Sequence, residues 1–150
     1  MPANLSLALL ADCYIPLLLL GCVYAIARAP VGAAARNESP MFGLPQTIGI
    51  ALLLSGLLIA FGLGWLDRRL GFWPGLGMDY STHTAVALAL GLFLLVQLKH
   101  GRWLGLLSLP GYGVLMGYLG YHSAGDMLST SAAITLLYGP LLLASWRYRN

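Results

Sequence analysis

Charge is what this chain lacks most. Only 9% of its 150 residues are charged, against 59% hydrophobic, with a mean hydropathy of +0.79. A water-soluble domain carries about 25% charged residues, so this composition cannot cover a water-facing surface. It excludes an ordinary soluble enzyme and points to an integral membrane protein. A net charge of +3, with basic residues single or paired at the ends of apolar runs, is no nucleic-acid signal. Cysteine is scarce too. Cys13 and Cys22 share one apolar segment, and nine helical residues separate them by about 13 Å, too far for a disulfide. Leu19-Leu20-Gly21-Cys22 has the outline of a lipoprotein cleavage box, but no Lys or Arg precedes it and Asp12 interrupts the run. A secretory signal needs a basic start.

Long apolar runs are abundant. Runs of roughly 20 residues are long enough to span a bilayer as helices. They predict a single domain, residues 1–150, built as an all-α membrane bundle of five spans near 7–27, 45–66, 80–98, 103–121 and 126–146. The first contains Pro16 and the isolated acid Asp12, the fourth Pro110. The second carries Gly56, Ala60 and Gly64, and the fourth Gly113 and Gly117. Small residues at every fourth position allow close helix contact in lipid, within the bundle or in a homo-oligomer. Residues 28–45 read as a polar loop and 67–78 as an irregular one, rich in Gly and Pro. Phe72, Trp65, Trp73, Trp103 and Trp146 fall near span ends, where aromatic rings suit the interface.

Five spans put the termini on opposite sides. Arg28, Arg36, Lys99, Arg102, Arg147 and Arg149 fall on one side, and only Arg68 and Arg69 on the other. The excess of Lys and Arg marks the cytoplasmic side. The N-terminus is then expected outside, the C-terminus in the cytoplasm, and the chain in a bacterial inner membrane. His100 lies in the basic turn on the cytoplasmic side.

Against this apolar background stand two polar stretches, Asp79-Tyr80-Ser81-Thr82-His83-Thr84 and Tyr121-His122-Ser123-Ala124-Gly125-Asp126. Each holds a carboxylate and an imidazole four residues apart, in opposite orders, a spacing that stacks two side chains on one helix face. The span count places both at the same, periplasmic, membrane boundary. One chemistry is phosphoryl transfer: His122 as nucleophile, Asp126 orienting it, His83 as acid for the leaving oxygen. Ser81, Thr82, Thr84 and the start of the third span would hold phosphate oxygens, and no cofactor is required. A second is metal binding, with Asp79, His83, His122 and Asp126 as a tetrahedral set in an intramembrane enzyme or transporter. A third is a non-catalytic membrane scaffold with a polar staple. The two catalytic or ligand pairs must converge; a separation of the imidazoles beyond about 10 Å would count against both chemistries.

Ser81-Thr82-His83-Thr84 resembles the Ser-Gly-His-Thr element of the membrane-bound phosphatidic acid phosphatase type 2 superfamily. His122-x-x-x-Asp126 resembles its His-x-x-x-Asp element. The branch that contains the sphingomyelin synthases is the closer match. The resemblance covers residues 79–126 and implies a lipid phosphatase or phospho-head-group transferase, with a membrane lipid as substrate. It implies His122 as nucleophile, Asp126 as its partner and His83 as leaving-group acid. The chain departs from the family pattern at Thr82, where Gly is usual, and at Met116, where the phosphatases carry Arg. Their upstream Lys-x6-Arg-Pro element is absent. Arg68 and Arg69 are the cations left to meet a phosphate, beside Asp79, whose role the resemblance does not assign.

Overall fold

In the computed structural model, residues 2–29, 44–98 and 102–149 are described. Five α-helices follow one another: α1 Pro2–Ala27, α2 Gln46–Leu70, α3 Thr82–Gln97, α4 Arg102–Tyr118 and α5 Ala124–Arg149, with a short 3₁₀ turn at Pro74–Leu76. Most of the 28–45 loop, and Lys99, His100 and Gly101, lie outside the described residues.

The helices run alternately up and down, and α3 is their axis. It packs against all four others, which form a ring around it in the order α2, α1, α4, α5. The sequence dictates this place for α3. Ala85, Val86, Ala87, Ala89, Leu90, Gly91, Phe93 and Leu94 are all buried, and a helix apolar on every side belongs inside other helices. At 16 residues it is only about 24 Å long. The outer helices shield it, so it need not meet the ~30 Å of a bilayer core by itself. The helices α1, α2 and α5 are long and apolar enough to cross a membrane. Their outer faces present Leu9, Leu17, Leu58, Phe61, Leu136 and Leu143, each more than half exposed. In water such a surface aggregates; against lipid chains it costs nothing.

The small residues serve contacts inside this chain. A Cβ on Gly56 would lie 2.9 Å from the ring of Tyr138. That ring is fully buried, and its hydroxyl donates to the Leu52 carbonyl at 3.0 Å. Gly64 gives the same room to Tyr80, whose hydroxyl donates to the Ala60 carbonyl at 2.6 Å. The α2 stripe is therefore a seat for two tyrosines.

Helix ends depart from the sequence expectation where capping decides. α2 runs on through Asp67, Arg68 and Arg69 and stops at Gly71, whose φ of 64° and N–H bond to the Asp67 carbonyl make a left-handed cap. The two arginines complement the negative helix end. α4 stops at Tyr118 rather than Tyr121. Gly120 (φ 73°) donates to the Gly117 carbonyl and Tyr121 to that of Met116, the paired bonds of a Schellman ending. Trp73 is buried within the protein. Its indole N–H donates to Ser129 at 3.0 Å, and the Asp67 carboxylate accepts its backbone N–H.

Candidate functional site

One end of the bundle gathers the C-terminal ends of α2 and α4 and the N-terminal ends of α3 and α5. Both polar stretches lie there. Neither carboxylate–imidazole pair shares a helix face, because each pair straddles a helix start. Ser81 caps α3, its hydroxyl accepting the Thr84 N–H at 3.3 Å, so Asp79 precedes the helix. Ser123 caps α5. Its hydroxyl accepts the Asp126 N–H at 3.2 Å while Asp126 Oδ2 accepts the Ser123 N–H at 2.8 Å. This reciprocal Ser-x-x-Asp arrangement is a capping box, and it leaves His122 in the turn before the helix.

Asp126 also reaches across the bundle. Its Oδ1 accepts the backbone N–H of Asp79 at 2.8 Å, and Thr130 one turn further accepts the N–H of Ser81 at 3.1 Å. Two bonds thus tie the strand of chain before α3 to the first turns of α5. Burial explains the second bond: Thr130 and Ser81 are both buried, and a backbone donor inside an apolar bundle must be paired. In the first, the buried Asp126 carboxylate gains a backbone donor from the exposed Asp79.

The consequence is the convergence of the two imidazoles. The ring centroids of His83 and His122 lie 6.4 Å apart, tilted by 52°. Tyr121 lies alongside His83 at 6.4 Å, nearly parallel to it. His83 is exposed and His122 half-buried. Burial pushes the His122 imidazole below its ordinary value; the Asp126 carboxylate opposes this, nearby His83 adds to it, and the Asp79 carboxylate opposes it more weakly. Burial thus disfavours the charged form of the His122 ring.

The expected partners are placed differently from one another. No hydrogen bond or ion pair joins His122 to Asp126; the carboxylate oxygens are taken by the two backbone donors. Asp126 acts on His122 through its field and by fixing the turn that carries it. Ser81 is fully buried, and its hydroxyl donates to Thr84 at 2.8 Å, so it closes the start of α3 and is shielded from any phosphate. Thr82 and Thr84 are half-buried. Asp79, Arg68 and Arg69 are exposed at the same end, with the Arg69 guanidinium 5.7 Å from the Trp65 ring centroid. Among the described residues no three of His, Cys, Asp and Glu are grouped so as to hold a metal ion. Asp79, His83, His122 and Asp126 share one end of the bundle without forming such a ligand set. Asp12, on α1, is exposed.

Spacing alone did not single out Ser123, Thr130 and Gly120. The Ser-x-x-Asp signature and a glycine shortly past the apolar run are readable signals, overshadowed by the more conspicuous His and Asp pairs. Beneath the imidazoles an apolar groove of about 700 Å³ opens between α3, α4 and α5. No protein-family model matches the chain, and neither a curated protein nor a solved structure matches it.

Proposed function

We propose that the chain is a membrane-embedded phosphohydrolase or phosphotransferase that acts on the phosphate or phospho-head-group of a membrane lipid. The observation that carries this reading is the pair of imidazoles, 6.4 Å between centroids, held at one end of an apolar bundle by two separate helix starts. Burial disfavours the charged form of one of them. A neutral imidazole is a nucleophile toward phosphorus, and a second one within reach can move the proton that the leaving group needs.

The reaction runs in two steps. A ring nitrogen of His122 attacks phosphorus, the bond from phosphorus to the ester oxygen breaks, and His83 gives its proton to that oxygen. Water or an acceptor alcohol then attacks the phosphorus of the phosphohistidine. His83 takes the proton back, the N–P bond breaks and His122 returns neutral. The negative field of Asp126 and Asp79 favours the cationic ring of the intermediate. Arg68 and Arg69, exposed at the same end, supply positive charge for the phosphate. The Ser-Thr-His-Thr and His-x-x-x-Asp elements, in that order, support the same assignment. The distribution of Lys and Arg supports an orientation with this end outside, at the periplasmic face of a bacterial inner membrane.

The test is turnover of a long-chain lipid phosphate by purified, detergent-solubilised protein, with and without chelator. Activity that survives chelator, together with acid-labile phosphate trapped on His122, is the expected result. Full turnover by His122→Ala protein would overturn it.

A further inference from the structure

We infer that the groove between α4 and α5 holds one aliphatic chain of the lipid whose head group meets His83 and His122, and that Gly113 and Gly117 set how long that chain can be. This inference rests on the lipid-phosphate reading above and specifies its substrate.

Four observations carry it. First, the α4–α5 edge is the thinnest in the ring around α3, and the groove of about 700 Å³ lies behind it. That volume is within the roughly 300–1,000 Å³ of small-molecule sites. Second, its two ends differ chemically. Thr84 and Ala124 line it and follow directly on His83 and Ser123, whereas deeper in, past Leu109, Pro110 and Leu88, it is mostly apolar, with Ser131 and Tyr112 the polar residues there. A head group at the imidazoles and a tail in the groove is the amphiphile that such a gradient fits. Third, the lining runs along α4 from Leu109 to Gly117. Eight residues of helix measure about 12 Å, close to the ~15 Å depth of one leaflet's hydrocarbon. A lipid in the leaflet beside the site reaches the groove without leaving its own depth. Fourth, space on the α4 side is kept by glycine. A Cβ on Gly113 or Gly117 would meet only the flexible end of Met127, at 3.9 and 3.8 Å. A Cβ at either position therefore meets no backbone of a neighbouring helix.

The position of the two glycines makes a length gauge. Gly117 lies nearest the imidazoles and Gly113 one turn deeper. A bulky residue at Gly113 leaves room for the start of a chain and blocks its remainder.

Two measurements test this. In the first, wild-type and Gly113→Leu proteins hydrolyse a series of alkyl phosphates of increasing length, and a small aryl phosphate. Gly113→Leu is expected to raise KM at least tenfold for the longest chains while leaving the aryl phosphate within twofold. An unchanged chain-length profile overturns the inference. The second uses wild-type protein alone and needs no turnover. A non-hydrolysable alkylphosphonate with a terminal diazirine is photolysed with the protein in phosphatidylcholine nanodiscs. Labelling is expected on Val114 and Leu128, competed by unlabelled alkylphosphonate. Labelling spread equally over Leu58 and Leu136, or competed equally by phosphatidylcholine itself, overturns the groove. Groove labelling without hydrolysis of any phosphate would retain the chain site and reject the reaction. Hydrolysis without groove labelling would do the reverse.

Discussion

Asp126 accepts the backbone N–H of Asp79 at 2.8 Å, from a position 47 residues later in the chain. With its other oxygen on the N–H of Ser123, this one buried carboxylate joins the start of α3 to the start of α5. The two imidazoles meet because of that join. The Asp126 carboxylate bonds no imidazole; it holds the frame on which both histidines stand.

Replacing it is costly. Asp126→Ala takes the carboxylate acceptor from two backbone donors, one of them the Ser123 half of the capping box. Both donors sit on exposed residues, where water can replace the lost acceptor, so each bond is worth about 0.5–1.5 kcal/mol and a loss of about 1–3 kcal/mol is expected. It should appear as a fall in Tm in detergent, followed by tryptophan fluorescence. Asp126→Asn keeps an acceptor oxygen and should lose less. Equal Tm values for Asp126→Ala and wild type would show that the cross-bundle bond carries little.

The roles of the two histidines separate by leaving group. His83→Ala should slow hydrolysis of an alkyl phosphate by about 10²–10⁴-fold, the usual worth of a general acid. With an aryl phosphate, whose leaving oxygen needs no proton, the loss should shrink to a few-fold. His122→Ala should abolish both. Equal losses on both substrates for His83→Ala would remove it from the acid role.

Burial lowers the affinity of His122 for a proton, and the sign of the pH effect follows. Between its lowered value and the ordinary 6.5, the unfolded chain binds more proton than the folded one, so stability rises with pH through that window. The His122 contribution is complete above 6.5 and is lost as pH falls through the folded value. Thermal melts from about pH 5 to 8 should show this slope in wild type and a flatter one in His122→Gln. The same shift keeps the free base available in mild acid, so the acidic limb of the pH–rate profile should lie below 6.5. A limb above 6.5 would contradict the burial of this ring.

The glycines of α2 are not equivalent. Gly56→Ala drives a methyl to within 2.9 Å of the buried Tyr138 ring, an overpacking that costs about 1–3 kcal/mol. Gly62 has open space where a Cβ would stand. Gly62→Ala should stabilise the helix by about 0.5–1 kcal/mol by relieving the entropic cost of glycine. Melting curves of the two variants should move in opposite directions.

Much of this was legible in the chain itself. Poverty of charge and the apolar runs announce a membrane protein and place the helices to within a few residues. Where boundaries moved, local capping moved them. Ser81 and Ser123 start α3 and α5 after Asp79 and His122, and Gly71 and Gly120 end α2 and α4. These signals are local and readable, but periodicity cannot weigh them against a conspicuous i,i+4 pattern. The small-residue stripe on α2 was legible as a contact surface, though not its occupants. Tyr80 and Tyr138 come from distant parts of the chain.

The sequence by itself determined the solvent of this protein, its helices and the two polar stretches, because hydropathy, period and cap residues act over neighbours in the chain. Only the tertiary structure decided that α3 is the axis, that Asp126 bonds to Asp79 rather than to His122, and that an apolar groove lies beneath the imidazoles. Those relationships depend on which donors find which acceptors across some 40 residues. No local pattern encodes that pairing; burial imposes it once the helices pack.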